Sequence, residues 1–187
     1  KLRTRINKLK AALVHYLKRA KKHDRTYFDE ACRTLADYYW QYQAQSLGPA
    51  ISELEQGRSF MKEELKKYAA GSIQIQRWTN DSLRTLESRK KSLSAMAYSM
   101  GFFYHSKRQF EKATWALEKA YEERKGLGDE GLESGNHFNL LAESYIEIKD
   151  YKAAKLWLNR CEKCSRHMDH SDDHESLLNR LKVLGVK

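Results

Sequence analysis

"MGFFYHSKRQFEKATWALEKA" occupies residues 100–120, and "LAESYIEIKDYKAAKLWLNRC" occupies residues 141–161. Laid over each other with an offset of 41, the distance from Gly101 to Ala142, the two stretches agree in size class at every key position. Tyr104 falls on Tyr145, Phe110 on Tyr151, Ala113 on Ala154, Leu117 on Leu158 and Ala120 on Cys161. Each pairing has a packing reason. Small residues at 101/142 and 113/154 let two antiparallel helices approach closely, and the rings at 104/145 and 110/151 fill the wedge beside the turn. Small residues at 120/161 let a following hairpin dock.

Working outward, apolar residues at the helical period predict helices over most of the chain. Leu2, Ile6, Leu9, Leu13, Tyr16, Leu17 and Ala20 mark an amphipathic helix over 1–22. A second helix is expected over 26–46, with Phe28, Ala31, Leu35, Tyr38, Tyr39 and Tyr42 on its apolar side. "LGP" at 47–49 reads as a turn in which Gly ends one helix and Pro opens the next. A third helix is expected over 50–69, then an irregular linker over 69–81 that anchors Trp78. Asn80 or Asp81 can cap a long helix ending near 106. Helices near 108–125, 129–148, 150–168 and 172–184 follow, the last opened by Asp172 and Glu175 at capping-box spacing. The expected fold is all-α, with antiparallel helix hairpins stacked as a right-handed solenoid.

The spacing of a small residue, Tyr three on, an aromatic six further and Ala three after that resembles the tetratricopeptide repeat. Two units match, 94–127 and 135–168, and the long period is similar to the repeats of kinesin light chains and related regulatory proteins. "KGLGDE" at 125–130 resembles the punctuation between such units. Ala97 and Phe138 stand where the family often has Trp, and neither unit closes on Pro. A degenerate third unit runs through Ala36, Tyr39, Ala50, Leu54 and Gly57. The expected organisation is a basic helix over 1–24, a degenerate hairpin region and linker over 25–79, and the repeats with a capping helix over 80–187.

The resemblance implies a protein-binding groove lined by the first helix of each pair. Its positions here are Ala95, Tyr98, Phe102, His105 and Ser106, then Asn136, Asn139, Glu143, Ile146 and Glu147. Tyr98, Phe102 and Glu143 replace the Lys, Asn and Arg with which chaperone-binding members grip a C-terminal carboxylate, which argues against that ligand. Asn139 is the position at which members often hold peptide backbone. Tyr98 and Phe102, four apart, either bracket an apolar anchor or pack on a neighbouring helix.

The formal net charge is +10, and nearly all of it sits at one end. Lys1, Arg3, Arg5, Lys8, Lys10, Lys18, Arg19, Lys21, Lys22 and Arg25 face Asp24 alone, while the other residues are close to balanced. This helix either binds nucleic acid or an anionic membrane surface, or is a solvated face whose counter-charges lie elsewhere. The charges wrap the polar face instead of forming a stripe, which favours the second reading.

Three cysteines, Cys32, Cys161 and Cys164, are too few and too odd for a disulfide framework and point to a reducing compartment, cytoplasmic or nuclear. The first residue is Lys1, and the chain is expected to be part of a longer protein. "CEKCSRHMDHSDDH" (161–174) offers Cys161, Cys164, His167, His170 and His174, but steps of about three drift around a helix instead of converging on one ion. No metal, cofactor or catalytic site is expected: phosphate loop, nucleophile elbow and His-Glu-x-x-His are all missing from the sequence. The expected function is non-catalytic binding of a protein or peptide partner.

Overall fold

The structure is a computed structural model that describes residues 4, 7–8, 11–16, 28–42, 46–69, 86–125, 134–164 and 172–185. Among these the regular elements are helices: α1 (Phe28–Tyr42), α2 (Leu47–Ala69), α3 (Leu86–Ser106), α4 (Phe110–Arg124), α5 (Ser134–Glu147), α6 (Tyr151–Cys164) and α7 (Asp172–Val183). Residues 11–16 are also helical. No helix among the described residues is long and apolar enough to cross a membrane. Contacts divide the chain into two units, Lys1–Met96 and Ala97–Lys187, so the division falls within α3.

In the first unit α1 packs along α2. The degenerate-repeat positions Ala36, Ala50 and Leu54 are wholly buried. Gly57 is a close-approach position: a Cβ there would lie 3.0 Å from Cys32 Cβ and 2.7 Å from Met96 Sδ. Arg58, itself buried, donates from Nη1 to the Leu93 carbonyl at 2.8 Å, and Ser92 Oγ donates to Asp29 Oδ2 at 2.5 Å. The turn expected at 47–49 is instead the first turn of α2. Ala50 N–H donates to the Ser46 carbonyl at 3.2 Å, so the helix starts ahead of Gly48 and Pro49. Pro is tolerated there because the first N–H groups of a helix have no acceptor within it. The linker with Trp78 lies outside the described residues.

The second unit holds both aligned stretches, 100–120 and 141–161, and their equivalence extends to the backbone. Arg108 and Lys149, offset by 41, both take the left-handed conformation, at φ 57° and 66°. Gln109 N–H donates to the Tyr104 carbonyl at 2.9 Å, and Asp150 N–H to Tyr145 at 2.9 Å. Arg108 N–H donates to the His105 carbonyl at 2.8 Å, and Lys149 N–H to Ile146 at 3.0 Å. This is the paired bonding of a Schellman helix end, made twice without the glycine that usually occupies the left-handed position. Lys149→Gly is therefore expected to raise the stability of the second hairpin by about 1 kcal/mol, because a side chain in that conformation is disfavoured by about that much. Slower hydrogen exchange across α5 and α6 is the readout.

Gly101 and Ala142, Ala113 and Ala154, and Leu117 and Leu158 are all buried, pair by pair. A Cβ on Gly101 would lie 2.5 Å from Leu117 Cγ and 3.3 Å from the Leu117 backbone nitrogen. Replacing Gly by Ala in a helix gains about 1 kcal/mol of propensity, whereas forcing a methyl into a packed core costs about 1–3 kcal/mol. Leu117 is fully buried and cannot swing aside freely, so steric crowding wins. Gly101→Ala is expected to destabilise the unit by about 1 kcal/mol; a rise in melting temperature would show that the α3–α4 contact yields.

The core of the unit joins Leu117 to Phe138, Leu141, Trp157 and Leu158, and includes Leu177 and Leu181 from α7. α5 packs on α4 and α6, and α7 packs on α5 and α6. Tyr145 Oη donates to Glu118 Oε1 at 2.6 Å, tying α5 to α4. Burial, then this carboxylate, pushes the phenol well above its ordinary pKa. At the aligned positions 115 and 156, Trp115 and Leu156 both stand about half exposed.

Candidate functional site

Three helices of the second unit each present a stripe of residues at helical spacing. α3 offers Tyr98 and Phe102, α5 offers Asn136, Asn139, Leu140 and Glu143, and α7 offers Asp173, Ser176, Leu177 and Arg180. Together they line an open cleft of about 410 Å³. Five of the expected groove residues, Tyr98, Phe102, Asn136, Asn139 and Glu143, thus meet at one place.

Of the remaining five, His105 and Glu147 extend its polar edge. His105 Nε2 lies 3.2 Å from Glu143 Oε2. The distance is that of a hydrogen bond, but the ring N–H is not aligned along it, so the contact is bent. Arg180 Nη2 donates to Glu147 Oε1 at 2.7 Å, and Nη1 lies 3.9 Å from Glu143 Oε1. The His105 ring, and less so the Arg180 charge, hold the Glu143 carboxyl below the usual carboxylate range against partial burial. Glu143 is therefore charged at neutral pH.

Asn139 is buried, and its Oδ1 lies 3.1 Å from His174 Nδ1. Tyr98 is half-buried with its ring edge-on to His137 at 5.4 Å, whereas Phe102 is 40% exposed. Asn136 is exposed. Ile146 is buried in the core, and Ser106 is exposed with its hydroxyl donating to the Phe102 carbonyl at 2.9 Å. Ala95 belongs to the first unit.

Sequence reasoning assigned α7 only a capping role and missed it as the third wall of the cleft. A signal was available. Leu177 and Leu181 mark its buried side, and Asp173, Ser176 and Arg180 recur at spacings of three and four beside them.

Of the cysteine and histidine run, Cys161 is buried in the core and His174 is committed to Asn139. His167 and His170 lie outside the described residues, and so do the side chain of Cys164 and most of the basic helix. Lys1, Arg3, Arg5, Lys10, Lys18, Arg19, Lys21 and Lys22 are among these. Lys8 alone of that set is described, and it is helical and exposed.

The architecture defines an all-α class of protein, with paired helices beside an open, mixed apolar and charged cleft. Comparison with models of protein families, with curated proteins and with solved structures returns no match.

Proposed function

We propose that the chain is a non-catalytic, tetratricopeptide-like interaction scaffold, which binds a peptide or helix of a partner protein in the cleft between α3, α5 and α7. The observation that carries this reading is the convergence of Tyr98, Phe102, Asn136 and Glu143 on one accessible surface built on repeated helix hairpins. Rigid helices present these groups at little ordering cost, and their mixed ring and charged chemistry suits a peptide better than a small apolar ligand. Asn139 supports the wall through His174. Buried, unbridged Cys32 and Cys161 suit a reducing, intracellular setting.

The test is peptide selection against the full chain from a displayed random library. Selected peptides are expected to lose about tenfold or more in affinity with Phe102→Ala and Tyr98→Ala, at unchanged helicity by circular dichroism. Failure to select any peptide, or binding that ignores both variants, removes the cleft from the proposal.

The second reading, polyanion binding through residues 1–25, is favoured by the concentration of charge there. Deleting 1–25 would abolish binding to nucleic acid or anionic vesicles, and the intact chain would bind them with a steep salt dependence. Peptide binding in the cleft would survive that deletion.

A further inference from the structure

The cleft is acidic on a chain whose formal net charge is +10. Glu143 and Asp173 line it with Arg180, whose guanidinium donates at 2.7 Å to Glu147 at the cleft's edge. Among the described residues Asp173 has no ion pair, and it is exposed. Glu143 keeps only a long 3.9 Å contact with Arg180 and the bent contact with His105. The Phe102 ring, 40% exposed, lines the same cleft.

A cation is stabilised by a ring face and by carboxylates together, and a guanidinium or ammonium on an apolar stem satisfies both at once. An anionic side chain would be repelled by Asp173 and Glu143, and a neutral donor would gain a hydrogen bond from them without the charge attraction. We infer that the cleft is a receptor for a basic residue, Arg or Lys, carried on a segment of a partner protein and seated between Phe102, Glu143 and Asp173. This rests on the interaction-scaffold reading and adds the chemistry of the partner.

The probe is a capped Gly/Ser heptapeptide with one central arginine, alongside its citrulline twin, titrated into the isotope-labelled full chain by NMR. One exposed cation contact predicts a Kd of about millimolar for the arginine peptide, with shifts at Phe102, Glu143 and Asp173, and about tenfold or weaker binding for citrulline. Asp173→Asn is expected to weaken the arginine peptide several-fold while leaving the Glu143–Arg180 and Glu143–His105 contacts intact. Glu143→Gln with Asp173→Asn removes the preference for arginine altogether.

Equal binding of arginine and citrulline peptides overturns the inference. So does a library-selected peptide that depends on Phe102 but carries no basic residue; that result leaves the scaffold reading standing. If neither the probes nor any library peptide binds, both fall together. Self-association of the full chain, abolished by Glu143→Gln with Asp173→Asn, would seat a second copy's basic segment in the cleft and overturn the assignment to a partner.

Discussion

Trp157→Ala is expected to destabilise the second unit by about 3–5 kcal/mol, the usual cost of removing a buried Trp and leaving its cavity. Trp157 is 5% exposed and is enclosed by rings and a cation. Phe138 stacks on it at 5.7 Å, Tyr121 meets it edge-on at 5.1 Å, and the Arg160 guanidinium lies 4.4 Å from its ring centroid. The indole thus joins α4, α5 and α6, and no neighbour can fill the space it leaves. Loss of this size would consume much of the stability of a domain this small. Hydrogen exchange over 134–161 measures the effect within the unit, without requiring the whole chain to unfold as one. Trp157→Phe should lose less, since a smaller ring still meets Phe138 and Tyr121; equal losses for Ala and Phe would point to a polar role for the indole.

Acid should weaken the same unit through His137. Its Nε2 is 2.8 Å from the Leu117 carbonyl, which can only accept, so Nε2 carries the proton in the neutral ring. Burial pushes its pKa down to about 4, against the Leu117 hydrogen bond and with help from Arg124. The unfolded chain binds a proton near the ordinary pKa of 6.5, whereas the folded chain resists it until about 4. This contribution is fully present above the unfolded value, falls away as pH drops from 6.5 towards 4, and levels off below that. The difference corresponds to about 3 kcal/mol at most. Urea unfolding at pH 7, 6, 5 and 4 reads the slope. His137→Gln, which keeps a donor for the carbonyl but does not titrate, should flatten it relative to the natural chain. Parallel slopes would mean that His137 is protonated at no penalty in the folded state.

The two paired hairpins of the second unit were legible in the sequence because the contacts that define them are local and repeated. A small residue at 101 or 142 and an aromatic nine positions on meet across one turn, so a 41-residue period records them directly. The groove positions came from the resemblance; helical spacing by itself says only that Tyr98 and Phe102, or Asn136, Asn139 and Glu143, share one helix face. The start of α2 was not legible. "GP" serves equally as a helix stop or as a first turn, and which it becomes depends on how far α2 packs along α1.

Residue order and periodicity by themselves determined the helical class, the two hairpins and the faces that their side chains occupy. Tertiary structure decided what those faces meet. Asn139 finds His174 across 35 residues of chain, and Glu147 finds Arg180 across 33, with no period linking them. Position 116 is Ala and its repeat equivalent is Trp157, both buried; only the space beside Phe138 and Tyr121 explains the larger choice. Arg108 and Lys149 carry no turn signature, yet both are held left-handed because hairpin closure satisfies the helix-end carbonyls only in that geometry. Local sterics repeat along a chain and can be read from it. Charge pairing and cavity filling depend on which helix arrives next to which.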